Sequence, residues 1–305
     1  MIRSILRIFI VFSHGKVIII LQITPTNMND YLNYKFTDSV SSVSTFDELP
    51  LWSASFGLFL LKYLELKSGR TLLDIGSGAG FPLLELAGRL GPSTKCYGID
   101  TWINANDRAR QKANNYGLNN VEIIDGSAEK LPFDNTSIDL IVSNLGINNF
   151  SNPDTVFREC LRVLKPGGKL AITTNLNGHW REFYRVYEET LAQISRPDLA
   201  LKLKVHEEHR GSVGSLSAMF IANGFTIARH FTDSFSMRFL DGTAFLNHYF
   251  VKLGWLESWK EMIPAELQVS FFDKLEQNLN DFALADNGLS LTVPMAYIEG
   301  QKTVA

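Results

Sequence analysis

The stretch from Leu72 to Gly80, which has the sequence LLDIGSGAG, constrains the fold of this chain more than any other feature. Its apolar start is typical of a buried strand, and the alternating glycines that follow allow the backbone to pass close to a ligand. Pro82 and the leucines after it predict a helix directly behind the glycines. A strand, a glycine-rich turn and a helix in this order indicate a nucleotide-type site at the edge of a parallel sheet.

Two residues near the glycines distinguish between the ligands that such a turn can bind. The dinucleotide fingerprint requires a glycine at position 81, where this chain has Phe81. Asp74 would repel a pyrophosphate and therefore favours a cationic or zwitterionic ligand. The segment Asp74–Gly80 (D-x-G-x-G-x-G) resembles motif I of the class I S-adenosylmethionine-dependent methyltransferases. The resemblance implies that the glycines approach the amino-acid half of S-adenosylmethionine, and that the acidic residue anchors the turn and the ligand's ammonium group.

Later segments match the other parts of this family's cofactor site, in the family's order. Asp100 lies where doubly wound sheets place the acid that binds a ribose diol. The resemblance implies that Trp102 lies against the adenine ring and that the loop at Ser127 and Ala128 contacts the adenine amino edge. The family usually has Asp where this chain has Ser127, a departure that leaves the backbone contact at Ala128 unaffected. The predicted cofactor-binding residues are Asp74, Gly76, Ser77, Gly78, Gly80, Asp100, Trp102, Ser127, Ala128 and Asn144.

The segment Leu161–Thr174 (LRVLKPGGKLAITT) resembles the family's helix–turn–strand signature, with the turn at Pro166–Gly168. Together the matches predict an α/β fold, with a Rossmann-like, mostly parallel sheet of seven strands and helices on both faces. Insertions after strand 5 and between strands 6 and 7 are expected to form a helical lid over the carboxyl edge of the sheet. The expected division is one methyltransferase domain at 28–305, with a core of 50–177, 212–240 and 288–302 and a lid of 178–211 and 241–287.

Residues 1–27 differ from the rest of the chain. Their two apolar runs, Ile8–Phe12 and Val17–Leu21, are far shorter than the ~20 apolar residues of a membrane-spanning helix. A domain that faced away from the cytosol would also find no S-adenosylmethionine. We therefore expect a dispensable or mis-started extension, with Met28 as the start of a cytoplasmic protein that does not insert stably into a membrane.

The composition argues against several other kinds of site. A formal net charge of −3 over 305 residues disfavours a nucleic-acid partner bound through its phosphates. Cys96 and Cys160 have no zinc-type spacing and are expected to be buried thiols. The spacing of His206 and His209 is more typical of a solvated helix face than of a metal site, so no metal is expected.

The methyl acceptor is expected behind the fourth strand, at Ser143–Gly146. This segment lacks the N/D-P-P-Y sequence of enzymes that methylate exocyclic amines. The following segment, Ile147–Phe150, is similar to the one at this place in ubiquinone and menaquinone C-methyltransferases. Aromatic residues in the two insertions favour a small, apolar or ring-bearing acceptor. A base is needed only where the acceptor loses a proton, and the candidates are His179, Tyr184, His248 and Tyr249.

The resemblance therefore predicts a methyltransferase that uses S-adenosylmethionine. Two alternatives remain open at this point. The first is a non-catalytic S-adenosylmethionine-binding interaction module, because cofactor loops can persist without turnover. The second is a nicotinamide-dependent oxidoreductase, which Phe81 and Asp74 disfavour.

Overall fold

The computed structural model describes residues 4–13, 16–25, 30–49, 51–208 and 210–303, which divide into two compact units. The sheet unit takes its described residues from 37–181, 204–237 and 291–305. The helical unit takes its described residues from 1–36, 182–203 and 238–290. The chain therefore leaves the sheet unit after residue 181 and again after residue 237.

Strands and helices alternate between residues 71 and 125, in the segment that carries the glycine turn. The strands are β1 (Ser4–Ser13), β2 (Lys16–Pro25), β3 (Thr71–Ile75), β4 (Lys95–Asp100), β5 (Val121–Asp125), β6 (Ile138–Asn144), β7 (Leu164–Asn175), β8 (Phe225–Phe239) and β9 (Leu289–Lys302). The α-helices are α1 (Val40–Asp47), α2 (Leu51–Tyr63), α3 (Leu83–Leu90), α4 (Ile103–Asn115), α5 (Pro153–Val163), α6 (Arg181–Gln193), α7 (Ala200–Glu208), α8 (Val213–Ala222), α9 (Gly242–Asn247), α10 (Tyr249–Gly254), α11 (Leu256–Glu261) and α12 (Ala265–Ala285). Short 3-10 helices cover Asp30–Asn33, Gly146–Asn149 and Pro197–Leu199.

A seven-stranded sheet has the order β5-β4-β3-β6-β7-β9-β8. The pairs β5–β4, β4–β3, β3–β6 and β6–β7 are parallel, and β9 runs antiparallel to β7. This arrangement confirms the predicted Rossmann-like, mostly parallel sheet. The chain moves to one side of β3 with β4 and β5, and to the other side with β6. Ligands of such sheets bind at the carboxyl ends of the strands where the order reverses, which here is the edge between β3 and β6.

The central strands are covered on both faces, as parallel strands require. In β3, Leu72, Leu73 and Ile75 are all buried. Helix α5 turns its apolar side, which includes Val156, Phe157 and Cys160, into the core. Its first turn is capped by the Asn152 side chain, which accepts a hydrogen bond from the Thr155 amide at 3.0 Å. The packing of α5 against the sheet helps to fix the strand ends at its carboxyl edge.

One local prediction was wrong. The segment Pro166–Gly168 was expected to be a turn between a helix and a strand, but it lies inside β7, which starts directly after α5. The strand begins early because Leu164 already pairs with Ile138, whereas the next pair in the ladder is Lys169 with Leu140. Residues 165–168 form a bulge between these two pairs, in which Gly167 has a φ angle of +77° and its carbonyl accepts a hydrogen bond from the Gln301 side chain at 3.0 Å.

Both cysteines lie in the sheet unit and are buried and free, as expected. Burial raises the pKa of the Cys96 thiol to about 12, and it also raises the pKa of Cys160. Neither thiol is therefore ionised near neutral pH, which agrees with a structural role.

The helical unit has an aromatic core of its own. Tyr187 on α6 donates a hydrogen bond to the carbonyl of Trp259 on α11 at 3.0 Å, and its ring packs 4.6 Å from that of Phe271 on α12.

Residues 241–287 contain α9 to α12, and β1 and β2 form an antiparallel hairpin. No helix among the described residues combines the length and the apolar character needed to cross a membrane. The lid, the domain limits and the dispensable residues 1–27 stay predictions.

Candidate functional site

The predicted glycine turn follows β3 at the carboxyl edge of the sheet. Gly76, Gly78 and Gly80 have φ angles of +73°, +49° and +96°, which side chains disfavour. A Cβ on Gly76 would lie 3.1 Å from the Cα of Gly146, in the loop behind β6. The amides of Gly76 and Ser77 both donate to the Ile99 carbonyl, at 2.9 and 3.3 Å. The turn is thus tied to β4 and packed against the loop after β6.

Asp100 links the glycine turn to the start of α4. One carboxylate oxygen accepts the Gly78 amide at 2.9 Å, and the other accepts the Trp102 amide at 2.8 Å. An ionised carboxylate offers about four lone-pair positions, so two acceptor positions remain after these bonds. The side chain is partly exposed at the strand end. The structure therefore places Asp100 where it can hold the turn and still accept hydrogen bonds from a diol.

Asp74 is fully buried beneath the glycine turn. Among the described residues, neither of its oxygens has a hydrogen-bond partner of ordinary geometry, and the same holds for the buried Ser77 hydroxyl. Burial first, and then the charge of Asp100, raise the pKa of Asp74 well above its usual range, which the Leu83 amide offsets in part. A buried polar group without a partner destabilises the folded state. This carboxyl group is therefore the kind that a bound cation would stabilise in its ionised form.

The segment before α1 reaches the residue predicted to lie against adenine. The Asp38 carboxylate accepts hydrogen bonds from the Trp102 indole N–H at 2.7 Å and from the Nδ2 of the Asn104 side chain at 2.9 Å. The Phe46 ring lies 5.5 Å from the Trp102 ring, between centroids. At the end of α1, Asp47 pairs with Lys112 on α4 at 2.6 Å. These contacts hold the Trp102 ring in place, and no motif in the sequence indicates this role of Asp38.

Ser127 and Ala128 follow β5 on the same edge of the sheet. The Ser127 hydroxyl accepts the Glu129 amide at 3.1 Å and thereby closes the turn locally, and Ala128 is buried. The predicted contacts of these two residues with adenine stay predictions.

Asn144 ends β6, and both ends of its amide are bonded within the protein. Its Nδ2 donates to the carbonyl of Ser53 on α2 at 3.0 Å, and its Oδ1 accepts from the Thr173 hydroxyl at 2.8 Å. Asn144 therefore fastens α2 to the edge of the sheet. Its predicted contact with the cofactor stays a prediction.

Behind β6 and β7 lies a pair of amides that sequence reasoning did not identify. The Nδ2 of Asn148 donates to the Oδ1 of Asn175 at 2.9 Å, and the Oδ1 of Asn148 accepts from the Thr174 hydroxyl at 2.7 Å. Asn148 lies in the 3-10 helix after β6, and Asn175 is the last residue of β7. Three asparagines on two neighbouring strand ends were the available signal, but their pairing depends on the sheet register.

The four candidate bases do not belong to one unit. His179 lies in the sheet unit, buried against Trp52 with 5.1 Å between ring centroids, and burial lowers its pKa well below the usual range. Tyr184, His248 and Tyr249 lie in the helical unit. The hydroxyl of Tyr184 accepts the Trp259 indole N–H at 3.4 Å. Burial and the charge of Lys252 lower the pKa of His248. A catalytic role for any of them stays a prediction.

Of the two histidines considered for a metal, the structure describes one. His206 lies on α7, and His209 lies outside the described residues. In the part of the chain that the structure covers, no three His, Cys, Asp or Glu side chains come together as a metal ion would require.

Comparison with known proteins identifies a family and several relatives. Residues 73–172 match the family described as "Methyltransferase domain". A demethylmenaquinone methyltransferase of Listeria welshimeri is 30% identical over 207 residues, which is 65% of this chain and 86% of the relative. Another, from Oceanobacillus iheyensis, is 31% identical over 137 residues, which is 45% of this chain and 56% of the relative.

Solved structures of low sequence identity share the fold. The YcgJ protein of Bacillus subtilis superposes with a TM-score of 0.52 at 20% identity, over 83% of this chain and all of that one. Phosphoethanolamine N-methyltransferase 2 of Haemonchus contortus, solved with S-adenosylhomocysteine, superposes with a TM-score of 0.50 at 19% identity, over 94% of this chain and 63% of that one. At such identities the likeness concerns the fold.

Proposed function

Because this chain belongs to the class I S-adenosylmethionine-dependent methyltransferases, we propose that it methylates a small, apolar molecule that carries a ring. Two of its relatives are named as acting on demethylmenaquinone, whose head group is a naphthoquinone. We propose an acceptor of this kind in its reduced, hydroxyl-bearing form, because hydroxyl groups make ring carbons nucleophilic. The enzyme is proposed to act in the cytoplasm.

The close approach of Gly76 to Gly146 is the observation that carries this proposal. It brings the turn after β3, proposed to hold the methyl donor, against the loop after β6, where the acceptor is expected. Methyl transfer is an in-line displacement that depends mainly on positioning and on exclusion of water. Two ligands bound by these adjacent loops would lie side by side, as such a displacement requires.

The residues of the glycine turn fit the proposed methyl donor. S-adenosylmethionine supplies an electrophilic methyl group on a sulfonium, together with an ammonium group and a ribose diol. Asp74 provides a buried carboxyl that has no hydrogen bond of ordinary geometry to the described residues, which matches a cationic group reached through water or the turn's backbone. Asp100 retains acceptor positions that match the diol. The glycines leave the space that a close backbone approach needs.

Equilibrium binding of S-adenosylmethionine to the purified full chain tests the first half of the proposal. We expect Asp100→Ala to weaken binding by about 100-fold, because it removes charged acceptors from both the turn and the ribose. Asp125→Ala is the matched control, since Asp125 pairs in register with Asp100 at the end of the next strand. Equal effects of the two substitutions, or no binding to the wild-type chain, would count against this site.

Turnover tests the second half of the proposal, which concerns the methyl acceptor. Formation of S-adenosylhomocysteine should require a reduced, demethylated naphthoquinone with a short prenyl tail, and should stop without reductant. A chain that binds S-adenosylmethionine but forms no S-adenosylhomocysteine with this acceptor, or with a cell extract as the acceptor source, would instead be a non-catalytic binding module. Binding of a nicotinamide dinucleotide in place of S-adenosylmethionine would indicate the oxidoreductase.

A further inference from the structure

The Asn148–Asn175 pair is the strongest candidate for a ligand-binding group beyond the cofactor loops. We propose that this pair binds a ring oxygen of the methyl acceptor and so orients the neighbouring ring atom toward the methyl donor. The inference rests on the proposed function and deepens it by naming the positioning residues. It starts from three residues at the ends of two adjacent strands: Asn148, Thr174 and Asn175.

Their place in the fold is the first argument. Asn148 lies two residues after Gly146, whose Cα is 3.1 Å from the position of a Cβ on Gly76. Asn175 ends β7, the strand that pairs with β6, and Asn144 of β6 lies opposite Thr173 of β7. The amide pair therefore lies at the end of β7 and in the 3-10 helix after β6. Gly146 of the same 3-10 helix is packed against the glycine turn.

The directions of the hydrogen bonds are the second argument. The Thr174 hydroxyl donates to the Oδ1 of Asn148, and the Nδ2 of Asn148 donates to the Oδ1 of Asn175. The series ends at the Nδ2 of Asn175, which makes no hydrogen bond to any described residue. A series of this direction presents an N–H donor at its end, and an N–H donor selects an oxygen or nitrogen acceptor.

Burial is the third argument. Asn175 is 3% exposed and Thr174 is 1% exposed. The Nδ2 atom of Asn175, which has no hydrogen-bond partner among the described residues, nevertheless stays accessible to solvent. A buried amide that keeps one accessible donor gains stability when a ligand oxygen accepts that bond. The other amide at this edge, Asn144, differs because its Nδ2 already donates to the Ser53 carbonyl and its Oδ1 already accepts from the Thr173 hydroxyl.

The chemistry of an amide defines the role of the pair. An amide does not take up a proton near neutral pH, so neither asparagine is a general base. Holding the oxygen of a hydroxylated ring fixes the ring in its plane and sets which ring atom faces the methyl donor. The pair is therefore a positioning element that should discriminate between rings with and without an oxygen.

A pair of probes isolates this discrimination from turnover. The dissociation constants of 1-naphthol and naphthalene are measured by equilibrium dialysis against the full chain with S-adenosylhomocysteine present. The substitution Asn175→Asp keeps an oxygen that can accept from Asn148 and replaces the terminal donor. The preference is the ratio of the dissociation constants of naphthalene and 1-naphthol. We expect Asn175→Asp to reduce this ratio by about 10-fold, because the naphthol oxygen loses the donor of one hydrogen bond.

Three further variants place limits on the interpretation. Asn175→Ala should lose a similar part of the preference, and it replaces Asn175→Asp if that variant does not fold. Thr174→Val keeps the shape of the side chain but removes the donor that orients Asn148, so we expect a smaller loss of about threefold. Asn115→Ala, an exposed asparagine at the end of α4, should leave the preference unchanged.

Several results would overturn the inference. These are a wild-type chain that binds neither probe, or an Asn175 variant that binds S-adenosylhomocysteine normally and keeps the wild-type preference within twofold. A wild-type chain that shows the preference but does not methylate the reduced naphthoquinone would refute the proposed acceptor while supporting the positioning role of the pair. Failure of the proposed function and failure of this inference are thus separate observations.

Discussion

The two halves of the sheet's carboxyl edge are built differently. On the proposed cofactor side, backbone amides and the carboxylate of Asp100 would form the site, and these residues lie within about thirty positions of each other, from Asp74 to Trp102. On the proposed acceptor side, Asn175 ends β7, Asn148 lies in the 3-10 helix after β6, and Asn144 of β6 bonds to Ser53 of α2, which is 91 residues away. A constant ligand can be bound by a fixed backbone, whereas the acceptor is distinguished by side chains that can change without altering the fold.

Among the substitutions that test this comparison, Gly76→Ala should affect both halves most, because it disturbs the contact between them. A side chain at φ +73° costs about 1–2 kcal/mol, and its Cβ would press on the Gly146 backbone at 3.1 Å. We expect S-adenosylmethionine to bind at least about 30-fold more weakly by calorimetry. Probe binding on the acceptor side should weaken too, since Gly146 must move.

Gly69→Ala is the matched control for this substitution. Gly69 has nearly the same φ angle, +70°, but no heavy atom lies within 4 Å of its Cβ position. The control should lower the thermal midpoint and leave both ligands' affinities unchanged. If both variants weaken S-adenosylmethionine binding equally, backbone strain rather than the close approach determines the affinity.

The pH dependence of ligand binding should distinguish the two halves, with an effect of intermediate size. Burial raises the pKa of Asp74 in the free protein, whereas a nearby ammonium group favours the ionised carboxylate. Binding of S-adenosylmethionine then releases a proton, so its affinity rises with pH, by up to about 10-fold per unit, and levels off above the raised pKa. The affinity of 1-naphthol, which neutral amides bind, should stay constant over the same pH range.

Asp74→Asn should remove this pH dependence, as measured by titration of S-adenosylmethionine between pH 5.5 and 8. A wild-type affinity that falls as pH rises would contradict the assigned role of Asp74. In the free protein the sign is opposite: the folded state binds the extra proton, so the free energy of unfolding falls as pH rises from the unfolded-state pKa of Asp74 through its raised folded-state pKa.

The smallest effect is expected at Asp38, which orients Trp102 from outside the site. Asp38→Ala and Trp102→Phe each remove one partner of the bond between carboxylate and indole, and each should weaken S-adenosylmethionine binding by about threefold. The two losses should not add, because they concern the same bond. A calorimetric double-mutant cycle measures this coupling, with Asp134→Ala as an exposed control. Fully additive losses would show that Asp38 acts through Asn104 instead.

Much of the cofactor half could be predicted from the sequence. Positive φ angles at Gly76, Gly78 and Gly80 follow from residue type, and the position of Asp100 follows from the regular spacing of a strand, a helix and a second strand. Pro166–Gly168 was predicted less well, because it forms a bulge inside β7 whose flanking residues, Leu164 and Lys169, both pair with β6. The isolation of Asp74 could not be predicted either, since a missing partner is visible only when every neighbour is in place.

The sequence alone determined the parallel sheet, the glycine turn and the methyl donor, because local conformation and contiguous motifs govern all three. The tertiary structure decided that both Nδ2 and Oδ1 of Asn144 have partners while the Nδ2 of Asn175 has none among the described residues, and that Asp38 bonds to Trp102. These facts depend on strand register and on which side chains already have partners, and both arise from contacts between residues that are distant in the chain. For this reason the donor could be recognised from the sequence, and the group that orients the acceptor had to come from the structure.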